Sequence, residues 1–443
     1  MKRLFSLIIT SSFFFIIAGK LYGQQKIWTI NDCIQYALEK NIQVQKALVS
    51  NDINQINLEY AKSAWLPSLS GSARENFTWN NQTNNTTGAT VFKGTNGTNI
   101  SLGSTMTLFK AGKIRNNVRR SEINYEADKY NTEVIRQTVS LNVLNAYLQV
   151  LYAEEQVKNA VNQIASTEEQ LNLASERLTL GAIANSDYLQ VKSQVATEKQ
   201  TLATAQSQLA INRITLMQLM DLPETKDFII EHPNLDSLIN QKRIPDPAEV
   251  YQTALGIKPE VKNAELNRKS SQIGVDLAKA DYFPDLSANA GLTTLYSSSI
   301  LSKAIGTQLG NNVSPAVGLS ASIPIFLNKQ VRTDVAIAKK NTNNAELDEM
   351  NVKNQLRKEV EQACQDVISS QIEYEASSEA YQAVKESFDV AHEKFFRGLM
   401  NSVDFLIQKT SFIASESSFL QSKYRLIFSY KVLDFYTGQP LSF

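Results

Sequence analysis

The sequence predicts an α+β membrane protein built from an internal tandem repeat. Its long α-helical hairpins form a bundle, and four strands per chain contribute to a transmembrane β-barrel. Three observations predict it. Landmark residues recur at a constant spacing of 217 positions, two segments of 68 and 71 residues keep a helical pattern without Gly or Pro, and strand-like runs with one apolar and one small, polar face stand at duplicate places.

The repeat comes first because it organises everything else. Ala61-Lys62 returns as Ala278-Lys279, and Pro67-Ser68-Leu69-Ser70 as Pro284-Asp285-Leu286-Ser287. Leu102 matches Leu319, Phe109 matches Phe326, Gly181 matches Gly398, Asp187 matches Asp404 and Pro223 matches Pro440. Shared spacing of Pro, Gly and Asp landmarks marks a duplication, with a first repeat over 24–226, a linker over 227–246 and a second repeat over 247–443.

Each repeat has one grammar. A helical segment (30–65 or 247–283) stops at Pro67 or Pro284, since the residue before Pro is biased away from helix. A β-hairpin follows over 68–109 or 285–326, with polar loops at 80–99 and 297–312 between its strands. A long helix is then expected over 113–180 and over 327–397, each roughly 100 Å long at about 1.5 Å per residue. Gly181 and Gly398 end these helices, and shorter return helices are expected over 182–222 and 399–437. Helices of that length require partners along their flanks. Heptad-like spacing of Leu141, Leu144, Leu148, Leu151, Val161, Ile164, Leu171 and Leu178 supplies an apolar seam.

The strands alternate with period two. Leu69, Ala73, Phe77 and Trp79 share one face against Ser70, Ser72, Arg74, Asn76 and Thr78; Ile100, Leu102, Met106 and Leu108 oppose Ser101, Gly103, Thr105 and Thr107. Val313, Val317, Leu319, Ile323 and Ile325 oppose Ser314, Gly318, Ser320 and Ser322. A half-buried strand of a soluble sandwich is equally periodic, but long polar loops at one end and helices at the other suit a barrel. Four strands cannot close, and open edges are not tolerated in lipid, so several copies must pool strands around an axis. Three copies give twelve strands; two give eight, with little lumen.

The N-terminus reads as a secretory signal peptide over 1–23. Lys2 and Arg3 precede the apolar run from Leu4 to Ala18, which is short for a spanning helix of about 20 residues. Without Lys2, Arg3 and Lys20, 41 basic residues face 44 acidic ones, a formal charge of −3 that offers nothing to nucleic acid. Cys33 and Cys364 are read as lone residues on helices. Ala111-Gly112-Lys113-Ile114 lacks the earlier Gly and following Ser/Thr of a phosphate loop, and His232 and His392 belong to no ligand cluster. No enzyme activity, cofactor or metal is expected.

The duplicated helix–hairpin–helix plan, the junctions Ala61-Lys62…Leu66-Pro67-Ser68-Leu69 and Ala278-Lys279…Phe283-Pro284-Asp285-Leu286, and the paired Gly…Asp turns resemble the outer-membrane efflux proteins of the TolC family. The resemblance implies a homotrimer in the outer membrane of a Gram-negative bacterium, with a twelve-stranded barrel in the lipid and a helical tunnel in the periplasm. It further implies a passive exit duct engaged by a periplasmic adaptor and an inner-membrane pump of the RND or ABC type. Carried over by position, the adaptor contacts are Arg177, Leu180, Gly181 and Ala182 on one tip and Phe396, Arg397, Gly398 and Leu399 on the other. Leu180-Gly181 and Arg397-Gly398 stand where the family commonly has Val-Gly.

Asp187 and Asp404, each six residues after its Gly, are read first as capping the returning helices. Asp404 also matches an aspartate that narrows the family's closed pore, with Ile407 at the place of a second acidic ring. The gate expected from the resemblance is therefore Asp404, Ile407 and Asp187. A rival reading, a secreted coiled-coil filament subunit, explains the helices and the tip glycines but not four amphipathic strands at duplicate positions.

Overall fold

A computed structural model describes residues 26–83, 86–223, 228–235, 239, 245–299 and 304–442. The expected signal peptide lies outside the described residues, as does part of the expected linker.

The described elements, in chain order, are β1 (Ile27–Trp28), α1 (Ile30–Lys40), α2 (Ile42–Ser63), β2 (Ser68–Thr83), β3 (Thr90–Phe109), α3 (Lys113–Thr179), α4 (Asn185–Leu219) and β4 (Ile229–Ile230). The second repeat supplies α5 (Pro247–Ile257), α6 (Pro259–Ala280), β5 (Asp285–Ser297), α7 (Ile305–Asn311), β6 (Ser314–Ser322), α8 (Gln330–Phe396) and α9 (Ser402–Thr437). The long helices α3 and α8 have 67 residues each. No described helix is long and apolar enough to cross a membrane.

Two compact units emerge. One takes in the described residues up to Ala47, Glu133–Lys258 and those from Asn354 on; the other takes in Leu48–Thr132 and Pro259–Lys353. The first unit is helical. Its core holds Cys33, Ala37, Val143, Leu144, Tyr147, Leu151, Leu216, Leu356, Val360, Cys364, Leu426 and Ile427, all essentially inaccessible to water. On α3 the seam is shifted from the heptad reading. Leu144, Leu148, Leu151 and Ile164 are buried, but Val161 is 47% exposed because Ala160 and Ile164 face inward instead. Tyr147 donates its hydroxyl to Glu231 O at 2.7 Å, beside the parallel pair β1–β4, so the linker region contains a strand. Both cysteines are free and buried, and burial pushes the Cys33 thiol up to about 12, which keeps it protonated and inert.

The leading helix of each repeat is two helices, not one. In the first, Asn41 (ψ 128°) breaks the run, its amide donating to Leu219 O at 2.8 Å while its carbonyl accepts from Gln43 N. In the second, Lys258 is extended because Pro259 follows it. The repeat partners Asp221 and Gly438 show what duplication tolerates, since both have positive φ, at 51° and 77°. A Cβ at 438 would be strained at that φ and would meet Ile257 Cδ1 at 2.8 Å, so any side chain there needs that methyl group to move. Asp221 meets the same strain with a compensating bond from Ile42 N to its carboxylate at 2.8 Å.

The second unit carries one antiparallel sheet in the order β2-β3-β5-β6. Its register sets Leu69 opposite Ser104, Ala73 opposite Ile100, Ile100 opposite Thr294, and Ala290 opposite Val317, so the apolar residues gather on one face. Strands and loops depart from expectation in two ways. The first hairpin stays paired from Ser68↔Thr105 to Thr83↔Thr90, well into the expected loop, because β-branched Thr pairs continue the ladder; Thr78–Thr95 and Thr83–Thr90 hydroxyls meet at 3.0 and 3.1 Å. In the second hairpin the expected loop contains α7. There Gln308 exchanges bonds with Ser297, and Asn312 donates to Leu295 O at 2.8 Å, satisfying β5 where β6 no longer reaches it. β6 ends at Ser322 rather than running on to Ile325, since Pro324 has no N–H to give a ladder.

Candidate functional site at the hairpin tips

Both tips close by the same chemistry. Ala182 N donates to Arg177 O (2.8 Å) and Gly181 N to Leu178 O (3.0 Å); Leu399 N donates to Lys394 O (2.8 Å) and Gly398 N to Phe395 O (3.0 Å). This paired pattern needs a left-handed residue after the helix, supplied by Gly181 at φ 72° and Gly398 at φ 74°. No atom lies within 4 Å of a Cβ built at either, so the requirement is backbone conformation alone. Gly398→Ala is therefore expected to cost about 1–2 kcal/mol, read as a lower melting temperature, while Arg397→Ala, at an exposed site paired only with Glu393, changes it little.

The two tips of one chain are tied together. Arg177 sends Nη2 to Phe396 O at 2.7 Å and both terminal nitrogens toward Phe395 O at 3.2 and 3.3 Å, adding to the bond that Phe395 O already accepts from Gly398 N in the last turn of α8. Its guanidinium also lies 5.7 Å from the centre of the Phe395 ring. Beneath it, Phe395, Phe405 and Ala391 form a small core with Phe388 and Met400, and the Phe395 and Phe405 rings stack at 4.5 Å. Arg177 is thus half-buried and engaged within its own chain. Leu180 (82% exposed) and Leu399 (74% exposed) stand clear of it, as do Ala182 and Arg397. The Phe396 ring leans on His392 at 4.5 Å.

The return helix α9 begins with Asn401 as its cap. Asn401 Oδ1 accepts from Asp404 N at 2.8 Å, and Asn401 Nδ2 donates to Asp404 Oδ2 at 2.8 Å. Asp404 is therefore the third helical residue rather than the cap, its charge set against the positive end of the helix dipole. Asp187 has the same rank in α4, after Ala184, which makes no side-chain cap. No hydrogen bond joins Asp187 to Asp404 among the described residues. Ser402, Phe405 and Lys409 face the chain's own packing, which turns Asp404 and Ile407 (57% exposed) outward on the opposite side of α9.

A polar cluster just behind this face had no sequence signal. Lys409 Nζ lies 2.9 Å from Glu198 Oε1, and both side chains are nearly inaccessible. Thr167 donates to the other Glu198 oxygen and receives Lys409, while Gln194 adds a bond to Glu198 at 2.9 Å. Residues of α3, α4 and α9 thus meet in a charged knot. Burial draws the Lys409 ammonium below its ordinary range, and Glu198 opposes that shift. Lone Lys and Glu residues in polar helices carry no motif; Asn401-Ser402-Val403-Asp404 did, as a cap followed by an acid three residues on.

The model of the family described as outer membrane efflux protein matches residues 33–221 and 250–439, one match per repeat. The chain belongs to that family. The outer membrane efflux protein BepC of Brucella suis is 22% identical over 337 residues, covering 76% of this chain and 69% of BepC. The fold aligns with the CmeC outer membrane channel of Campylobacter jejuni at a TM-score of 0.77 and 20% identity, covering 92% of this chain and 85% of CmeC. It aligns with the MtrE outer membrane channel of Neisseria gonorrhoeae at 0.75 and 19%, covering 94% and 90%. This efflux protein is an outer-membrane channel protein of TolC-like fold, its helical part assigned to the periplasm, and its open four-stranded sheet is one chain's share of the barrel. The filament reading is set aside, because family membership covers both repeats.

Proposed function

We propose that three copies of the chain assemble into a passive exit duct whose periplasmic end is gated by α9, and that a periplasmic adaptor docks on the hairpin tips under an inner-membrane pump of the RND or ABC type. The observation that carries the gate is the rotation of α9. Burial of Phe405 and Lys409 commits the opposite side, with Asp404 and one turn later Ile407, to the space outside the chain. Around a threefold axis that side supplies an acidic ring followed by an apolar ring, which together repel anions and disfavour water at the constriction. Exposed Leu180, just before Gly181, and exposed Leu399, just after Gly398, offer an adaptor one apolar knob on each tip. Arg177 serves this reading indirectly, by holding the second tip at its carbonyls. The duct needs no catalytic step of its own, since the pump spends the energy.

The test is conductance. Asp404→Ala is expected to raise single-channel conductance in a planar bilayer and to increase entry of a large antibiotic into cells; unchanged conductance and entry would remove Asp404 from the gate. A cysteine at Gly398 crosslinked to the tip of a neighbouring copy is expected to stop export, and continued export with the crosslink formed would exclude movement of the tips as the opening step.

A further inference from the structure

The sheet carries an uncompensated charge that the gate does not explain. Its two faces differ sharply in composition. Leu69, Phe77 and Trp79 of β2, Ile100 and Leu102 of β3, Leu292 of β5 and Val317 and Leu319 of β6 share the apolar face, and all are exposed in the single chain, as residues facing lipid must be. The other face is built of Ser, Thr, Asn and Gly: Ser70 opposite Gly103, Ser72 opposite Ser101, Asn289 opposite Gly318. In a barrel that face lines the lumen.

Among the described residues, two full charges stand on the lumenal face above its base, Arg74 opposite Asn99 and Lys93 opposite Asn80, and both are positive. Neither makes an ion pair with a described residue. Among the described residues, the only acid on this face is Asp285 at the base of β5, which has Lys110 at 3.8 Å. Glu75, the neighbour of Arg74 in sequence, points to the opposite face. Its carboxylate accepts from Asn96 Nδ2 at 3.0 Å and from the Thr98 hydroxyl, so it is held away from the lumen. Nor can another carboxylate approach from the hairpins, because the sequence has no Asp or Glu from 76 to 109 or from 286 to 326.

We infer that the barrel section of the duct prefers anions, with Arg74 as its charge-selecting residue, so that substrates carrying net negative charge leave through it most readily. Three copies set a ring of guanidinium groups in a narrow passage with low-dielectric walls, the arrangement that focuses potential and favours anions. The ring is neutralised by nothing on its own face, and Lys93 extends the same sign along the hairpin toward its turn. Strand walls of Ser, Thr, Asn and Gly add hydrogen-bonding capacity without adding charge, so size and sign, rather than a shaped pocket, discriminate here. This charge selection belongs to the barrel alone and is separate from the acidic ring proposed at the tips.

This inference rests on the duct reading, and the test separates the two. Full-length protein is placed in a planar bilayer, and inositol hexakisphosphate is added to either chamber as an impermeant polyanion. Wild-type current is expected to be blocked from one chamber only, with block weakening as KCl rises from about 0.1 M to about 1 M. Arg74→Ser is expected to raise the half-blocking concentration about tenfold, the scale of a single partly screened charge interaction, while Arg74→Lys largely retains block. Equal block of wild type and Arg74→Ser overturns the inference and leaves the duct reading intact. A wild-type protein that inserts but passes no current overturns both.

Discussion

Lys409→Ala is expected to destabilise the helical unit by about 3–5 kcal/mol, the loss that follows when one partner of a buried ion pair is removed and the other charge is stranded. Glu198 would keep Thr167 and Gln194 as partners but lose its only cation, at a site almost closed to water. The loss should appear as a large drop in the melting temperature of the purified protein followed by circular dichroism. The double variant Lys409→Met with Glu198→Leu is the informative control. Apolar residues of similar volume remove both desolvation costs at once and often restore or exceed wild-type stability, and Thr167 can turn its one hydroxyl proton to Gln163 O, 2.8 Å away. If the single variant melts like wild type, the pair does not hold α3, α4 and α9 together.

The same pair has a pH signature, and its sign follows from burial. The Lys409 ammonium is drawn below its ordinary range chiefly by desolvation. The unfolded chain therefore binds the proton more tightly than the folded one in the alkaline window between the lowered folded value and 10.5. Across that window the contribution of Lys409 to stability rises with pH, because the burial cost fades as the ammonium is discharged. Below the folded value the cost is constant. Subtracting the alkaline stability profile of the Lys409→Met, Glu198→Leu double variant from that of wild type isolates this contribution.

The repeat and its punctuation were legible because they rest on backbone chemistry. Pro67, Pro284, Gly181 and Gly398 constrain φ or remove a donor wherever they occur, so their duplicate spacing located hairpins and tips directly. Period-two alternation likewise identified the strands, since register fixes which side of a sheet each residue faces. What was not legible depended on partners far along the chain. Asn41 breaks a helix because Leu219 O, 178 residues away, receives its amide. The α7 helix sits in a segment read as loop because β5 needs its donors and acceptors. Asp404 was read as a helix cap from its spacing after Gly398, yet the capping side chain is that of Asn401. Lys409 and Glu198 were invisible, for a charged residue inside a polar helix looks the same whether it is solvated or buried against another charge.

Arg177→Ala is expected to loosen the paired tips and make the closed duct leak. The guanidinium supplies all the side-chain hydrogen bonds recorded to the terminal carbonyls of Phe395 and Phe396, and it covers the ring of Phe395 as well. A well-made charged hydrogen bond contributes about 1.5–3 kcal/mol, and the partial exposure of this site places the whole contact at or below the low end of that range. The replacement does not disturb the Gly181 turn, whose bonds involve only the backbone at Arg177 and Leu178. The first tip should therefore keep its shape while the second is released from it. Because the carbonyls can turn to water, the protein should fold and assemble, with only a modest fall in melting temperature. Cells producing Arg177→Ala should become markedly more sensitive to a large antibiotic otherwise excluded by the outer membrane, and channels in bilayers should show longer or larger openings. Arg177→Lys should give an intermediate result, since one ammonium cannot span two carbonyls as a planar fork does. Unaltered sensitivity and conductance in Arg177→Ala would mean that the tips are held shut by contacts between copies, and the Phe395–Phe405 stack with its neighbours would then be a local core without a part in closure.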